Sequence, residues 1–279
     1  MAKHSNVAEA VLDFYQQLPF NQQSSTALQA ESILSRNSIL AYPVLPPLLS
    51  QNSRVLEVGC GTGWFANSMA YYYPVAVTGI DFNPVAIEFA RRAAAELNLS
   101  SQFVNADLFT YQAELAFDGV VSIGVLHHTH DCLAALRRVA SLWVKPGGWL
   151  FLGLYHHYGR RPFLDHFELL RQQGQTESEL FARYRQLHPY LTDDIQAYSW
   201  FRDQVLHPYE TQHTVAELIP VLAESGLTIK ATSINQFQPM TDVTAIVKLE
   251  SERERSAANR LANNQYDPGF FLVLAQKPG

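Results

Sequence analysis

Cysteine is scarce: Cys60 and Cys132 are the only two in 279 residues. That excludes a disulfide framework and a cysteine-built zinc site. Long apolar runs are also missing, and none approaches the roughly 18 residues that a membrane span requires. Positive charge is short, with 20 Lys and Arg against 26 Asp and Glu and a formal net charge of -6. A protein that grips a nucleic-acid backbone normally carries a basic face, so no nucleic-acid partner is expected. The opening stretch, "MAKHSNVAEAVLDFYQQLPF", holds acidic and polar residues where a signal peptide is apolar. A cytoplasmic protein without membrane contact is therefore expected, and nothing in the surface pattern predicts an oligomeric state. Repeats and low-complexity tracts are absent. What is abundant is hydrophobic residues, at 47% against 16% charged. That balance suits one large globular domain, or one domain with a substantial insertion.

Apolar, β-branched runs recur between helical patterns. Strands are expected at 54–58 ("RVLEV"), 75–81, 101–107, 117–125, 149–155, 227–234 and 270–276. The stretch "PVAIEFARRAAAELN" (84–98) opens with Pro84 at a first helical position. "DCLAALRRVASLW" (131–143) has Asp131 placed to cap it and "KPGG" to stop it. Strand and helix in alternation imply a mostly parallel sheet covered on both faces. The alternation fails over 156–213, which is rich in histidine, tyrosine and helical pattern, too aromatic to be disordered. The expected organisation is an N-terminal helical flap (1–45), an α/β core (46–155), a helical cap (156–213) and the remainder of the core (214–279). "ESERERSAANRL" (250–261) reads as a solvated helix.

The most informative stretch is "VLEVGCGTGWF" (55–65), an apolar run entering three glycines. A triphosphate loop needs Lys and then Ser or Thr after its last glycine, and Trp64 and Phe65 stand there instead. A dinucleotide loop needs Gly or Ala at the sixth position, which is Trp64 counting from Gly59. That bulk, with no positive charge nearby, points to a nucleoside ligand whose chain carries no phosphate. Asp81, ending the second strand, can accept both ribose hydroxyls. Asp107, in "NADLF", can meet an adenine amino group, and Glu57 can face the ammonium of an amino-acid tail.

These stretches resemble the class I S-adenosylmethionine (SAM)-dependent methyltransferases. "VLEVGCGTG" resembles the family's glycine-rich motif and "VTGIDFNPVAIEFA" its acidic second motif. "NADLF" is similar to the adenine-contacting stretch, "FDGVVSIGVLHH" to the fourth strand and "LWVKPGGWLFLGLY" to the turn and strand after it. They stand in the family's order across about 55–155. The resemblance implies a seven-stranded sheet with an antiparallel last strand, and a site at the carboxyl ends of the strands. It implies S-adenosylmethionine as cofactor and S-adenosylhomocysteine as product. Carried over by motif, Glu57, Gly59, Gly61 and Gly63 form the methionine-side loop, Asp81 and Phe82 hold ribose and adenine, and Asp107 and Leu108 meet the adenine edge. Gly124, Val125 and His127 lie beneath the sulfonium. "FYQQLPFN" (14–21) is similar to a flap folded over the cofactor, with Tyr15 and Phe20 as its contacts.

Methyl transfer to a hydroxyl benefits from a general base, for which histidine is suited. The candidates are His156 and His157, after the fifth strand, and His207. Tyr155, Tyr158 and Asp203 are the matching substrate contacts. The three histidines of "LHHTHD" are read as structural or cofactor-lining. His207, Glu210 and His213 have a metal-like spacing, but Pro208 interrupts any helix that would align them, and no metal is expected. The reading is methyl transfer to an oxygen or nitrogen of a small, partly apolar molecule. The alternatives are a protein or peptide methyltransferase and a non-catalytic SAM-binding sensor or subunit. Trp64 disfavours a nicotinamide oxidoreductase.

Overall fold

The computed structural model describes residues 2–239, 242–267 and 269–279, with side chains from Val7 onward. The strands are β1 (Arg54–Val58), β2 (Ala76–Asp81), β3 (Gln102–Asn105), β4 (Phe117–Ile123), β5 (Val144–Tyr155), β6 (Thr228–Thr232) and β7 (Phe270–Gln276). They form one sheet in the order β3-β2-β1-β4-β5-β7-β6. Neighbours from β3 to β5 pair in parallel, and β7 runs antiparallel to both β5 and β6. The expected seven-stranded class I methyltransferase sheet is the one observed.

Helices α1 (Ala2–Gln17) and α2 (Thr26–Ser35) precede the sheet. Helices α3 (Trp64–Tyr72), α4 (Pro84–Glu96) and α5 (Cys132–Leu142) follow β1, β2 and β4. A helical layer of α6 (His157–Gln172), α7 (Glu177–Leu187) and α8 (Asp194–Phe201) comes before α9 (Val215–Glu224). Between β6 and β7 lie α10 (Val243–Glu250) and α11 (Glu252–Ala262). No described helix is long and apolar enough to cross a membrane.

Side-chain alternation explains the two-faced packing. Leu150, Leu152 and Leu154 of β5 join Leu56 and Val58 of β1 on the face covered by α5 and α9. Trp149 and Phe151 join Val55 on the opposite face, against Ala66 and Met69 of α3 and Ile87 and Ala90 of α4. Each fully buried aliphatic side chain contributes about 1.5–3 kcal/mol. Local signals agree with this packing. The Asp131 carboxylate accepts the Ala134 N–H at the start of α5, and Asn83 caps α4 ahead of Pro84.

Three differences from the sequence reading have physical causes. "KPGG" does not end α5, which stops at Leu142 with Trp143 as its cap. β5 starts before it, since Phe117 pairs with Val144 and Gly119 with Trp149, so Lys145 to Gly148 bulge out of the ladder. β4 stops at Ile123 because Gly124, at φ +77°, turns the chain. Glu250 is not on a solvated helix but buried, accepting the Val215 and Ala216 N–H groups at 2.5 and 3.3 Å. It neutralises the positive N-terminal end of α9, while the helix that follows buries only Ala257. That helix, α11, packs on α6, so the segment between β6 and β7 adds to the helical layer.

Candidate functional site

A cavity of about 810 Å³ opens at the carboxyl ends of the strands, where open α/β sheets bind ligands. Its floor comes from the loops after β1, β2, β3 and β4. Its roof is α1 with the chain following it, and its far wall comes from the helical layer and Tyr266.

Glycine is required in the first loop for close approach. Gly59 sits at φ +72°, and a Cβ there would come within 2.3 Å of the Val125 side chain. Gly63 differs: it caps α3 in the left-handed region, and a Cβ would meet that of Ala90 at 2.7 Å. It therefore packs the loop onto α4 and does not line the cavity, whereas Gly59 and Gly61 do. The Gly61 N–H donates to Asp81 Oδ2 at 2.9 Å and the Asn83 N–H to Oδ1 at 2.8 Å. Those bonds fix the carboxylate and leave lone pairs on both oxygens. Glu57 is buried and its Oε2 has no hydrogen-bond partner. Burial pushes both carboxyls up, opposed at Glu57 by the Ala66 N–H and at Asp81 by the Asn83 and Gly61 N–H groups. Phe82, Asp107, Leu108, Gly124, Val125 and His127 also line the cavity. His127 is fully buried; its Nδ1 accepts the Tyr155 N–H at 3.3 Å and burial keeps the ring neutral.

A second polar cluster faces this half. The Tyr15 hydroxyl of α1 donates to Asp203 Oδ1 at 2.5 Å, and the Tyr155 hydroxyl donates to Oδ2 at 3.3 Å. His128 Nε2 lies 3.8 Å from Asp203 Oδ1 and has no hydrogen-bond partner. Asp203 rides on a π-helical turn, Arg202–Leu206, that continues α8. Such a widened turn often marks a functional position, and here it ends before Pro208, which cannot extend a helix.

The backbone of Tyr209 sets two imidazoles at once. Its carbonyl is 2.9 Å from His128 Nδ1, and its N–H donates to His207 Nδ1 at 3.1 Å. In its neutral form His128 thus carries its proton on Nδ1 and presents a lone pair at Nε2 beside Asp203. His207 has the opposite tautomer. It stacks on His128 with centroids 3.8 Å apart, and burial holds it neutral.

Among the described residues, His128, Asp203 and His207 are the group whose ligand atoms converge as a metal site would require. Because His207 Nδ1 accepts the Tyr209 N–H, the neutral ring carries its proton on Nε2, so that nitrogen lacks the lone pair a metal needs. Glu210 and His213 are committed elsewhere, to Arg160 and to Glu217 and Thr211.

The structure brings Tyr15, Tyr155 and Asp203 together and sets His207 directly behind His128, off the cavity wall. It does not bring His156, His157 or Tyr158 there. His156 Nδ1 accepts the Gly159 N–H as the cap of α6, and its Nε2 donates to Glu250 at 3.0 Å. His157 is exposed and Tyr158 half-buried, and neither lines the cavity. His128 was missed as a chemical group although its place after β4 was visible; the signal, a buried Nε2 beside a distant carboxylate, exists only in the fold.

Further hydrogen bonds tie the roof to the rest of the site. Asn21, in the left-handed region, receives the Trp200 indole N–H on its side chain and the Trp64 indole N–H on its carbonyl. Asn83 Nδ2 donates to the Tyr15 carbonyl, and Arg202 Nη2 to that of Phe14.

A family profile described as a methyltransferase domain matches residues 29–218. Among curated relatives, phosphoethanolamine N-methyltransferase 1 of Arabidopsis thaliana is 34% identical over 127 residues, 45% of this chain and 26% of that protein. Ubiquinone biosynthesis O-methyltransferase of Albidiferax ferrireducens is 40% identical over 101 residues, 35% of this chain and 39% of that one. The matches thus span only about a quarter to two-fifths of these relatives. Among solved structures, magnesium protoporphyrin IX methyltransferase of Synechocystis with bound S-adenosylhomocysteine aligns over 97% of this chain and 86% of its own, at 17% identity and TM-score 0.51. An S-adenosylmethionine-dependent methyltransferase of Mesorhizobium loti aligns over 88% and 100%, at 21% identity and TM-score 0.51.

Proposed function

The chain belongs to the methyltransferase-domain family, and from that premise we propose that it moves a methyl group from S-adenosylmethionine to an oxygen or nitrogen of a small, partly apolar molecule. The cofactor is S-adenosylmethionine. The residues fit it: Gly59 leaves the space a Cβ would fill, Glu57 keeps a buried oxygen without a partner, and Asp81 keeps two fixed acceptors. Glu57 would take the amino-acid ammonium, Asp81 and Phe82 the ribose and adenine, Asp107 and Leu108 the adenine edge, and Gly124, Val125 and His127 the region of the sulfur. When bound, the cofactor supplies an electrophilic methyl that needs no further activation.

What remains for the chain is positioning, exclusion of water and one proton. The observation that carries the reading is the unpartnered His128 Nε2, held as a lone pair beside Asp203 on the wall of the cofactor cavity. His128 takes the acceptor's proton, and Asp203 stabilises the imidazolium that results. Tyr15 and Tyr155 hold Asp203 in place. The roof of α1 over the cavity favours a small acceptor over a peptide. The cytoplasm suits this chemistry, and no nucleic acid, membrane or metal has a part in it.

The test is titration of S-adenosylhomocysteine into the protein, followed by incubation with methyl-labelled cofactor and a panel of hydroxyl, amine and peptide acceptors. Micromolar binding and label on a small molecule support the reading. Binding with no transfer to any acceptor or cell extract would indicate a sensor or subunit, and label on peptides alone would favour a protein methyltransferase.

A further inference from the structure

Charge is distributed unevenly around the cavity. Its described lining residues include Glu57, Asp81, Asp107 and Asp203, yet none is a lysine or arginine. Two nearby guanidiniums are spoken for. Arg160 pairs with Glu210, donates to the Gln204 carbonyl and lies over the rings of Tyr155 and Phe163. Arg202 is bound to the Phe14 carbonyl and Gln17 and lies over the Phe14 ring. Asp203 therefore has only neutral donors, the hydroxyls of Tyr15 and Tyr155. A buried carboxylate whose hydrogen-bond donors are all neutral is costly, and burial raises its affinity for a proton against the opposing fields of His128 and Arg160 nearby. Around it the wall is aromatic: Tyr15, Tyr155, Tyr190, Trp200, Tyr266 and Phe270 line the same cavity. Aromatic faces and a carboxylate together recognise an organic cation.

We infer that the methyl acceptor is an alkylamine or arylalkylamine that arrives as its ammonium cation and is held by Asp203 within this aromatic wall. The inference rests on the methyl-transfer reading of the same cavity. The charge balance is consistent at every step. The ammonium binds beside Asp203 and gives one proton to His128 Nε2. The freed nitrogen lone pair attacks the methyl carbon, the carbon–sulfur bond breaks, and sulfur keeps the electron pair. One positive charge stays beside Asp203 up to the transfer, on the ammonium and then on the imidazolium. The transfer moves the cofactor's positive charge onto the methylated nitrogen, and His128 gives its proton to solvent as the cationic product leaves. An acceptor bearing phosphate or carboxylate finds no lysine or arginine among the described residues of this wall.

The test uses the full chain loaded with S-adenosylhomocysteine for binding and with S-adenosylmethionine for turnover. The probes are phenethylamine, its N-methyl derivative, phenethyl alcohol, phenylpropionate and phosphoethanolamine. The amines should bind at least tenfold more tightly than the alcohol and be methylated, with no turnover of the two anions. Asp203→Asn should remove that tenfold preference while changing the ratio of S-adenosylmethionine to S-adenosylhomocysteine affinity less than twofold. Tyr190→Leu, at a ring that is 57% exposed and so dispensable for folding, should weaken the amines two- to fivefold and leave the alcohol unchanged. Equal or tighter binding of the alcohol or an anion overturns the inference. So does an Asp203→Asn variant that loses S-adenosylmethionine relative to S-adenosylhomocysteine, because Asp203 would then serve the sulfonium. If S-adenosylhomocysteine fails to bind the wild type, the methyl-transfer reading falls instead, and amine binding without cofactor then decides only whether Asp203 and the aromatic wall hold an organic cation.

Discussion

The cavity has two halves built by different means. The cofactor half is made mostly by backbone: left-handed glycines, strand ends, and an Asp81 carboxylate fixed by N–H groups of the loops after β1 and β2. The acceptor half is made by side chains from remote segments, with Tyr15 and Asp203 separated by 188 residues. Backbone construction tolerates little variation in sequence, because only glycine leaves room at Gly59. Side-chain construction leaves almost no linear trace. The same contrast separates the expected effects of mutation: binding should fail from one half and turnover from the other.

The largest effect is expected at His128. His128→Asn removes the proton acceptor and should lower kcat by about 10²–10⁴-fold, while S-adenosylhomocysteine affinity measured by calorimetry stays within twofold. A variant that lost cofactor binding instead would erase the division between halves. Next comes Asp81→Ala. Two charge-assisted hydrogen bonds to ribose are at stake, each about 1.5–3 kcal/mol, so S-adenosylhomocysteine should bind at least tenfold more weakly. Because Asp81 also receives the Gly61 and Asn83 N–H groups, Asp81→Asn separates loss of charge from loss of loop geometry.

Glu57 sharpens the comparison by pH. Burial raises its carboxyl above the ordinary range, so at low pH it is protonated in the free protein. A protonated carboxyl cannot pair with the ligand's ammonium. S-adenosylhomocysteine affinity should therefore rise with pH through and above the usual carboxylate range, then level off. Glu57→Gln should bind several-fold more weakly at neutral pH and flatten the profile, as calorimetry across pH would record.

Legibility in the sequence followed the same division. The strands were visible because buried β-branched runs alternate with helical ones, and six of them were found at nearly their observed limits. The start of β5 was hidden by "KPGG", whose residues bulge out of a ladder that had already begun. In the site, Glu57, Gly59, Gly61, Asp81 and Asp107 stand in one short, ordered series, and all five line the cavity. His156 and His157 looked suited to chemistry because they follow a strand that ends there. His156 instead faces Glu250, a carboxylate 94 residues away whose burial no local pattern announces. The pairing of His128 with Asp203 has the same origin, since it depends on a π-helical turn and on Tyr209 addressing two rings.

The smallest effect is expected where the two halves meet, at Tyr15. Its hydroxyl donates to Asp203, but its carbonyl accepts from Asn83 on the cofactor side, at 2.9 Å. Tyr15→Phe removes only the first of these. Asp203 keeps the Tyr155 donor and α1 keeps the Asn83 and Arg202 bonds to its carbonyls. The bond that is lost holds Asp203 in place and does not touch the acceptor, so only part of its strength reaches binding. About a fivefold change, roughly 1 kcal/mol, is expected in the acceptor's KM with kcat within a few-fold and cofactor affinity unchanged. Steady-state rates measured for both substrates would distinguish the outcomes. A loss of kcat as large as that of His128→Asn would mean that the tyrosine hydroxyl itself takes the acceptor's proton. Asp203 would then be its partner, and the acceptor half would owe its chemistry to the flap and not to the loop after β4.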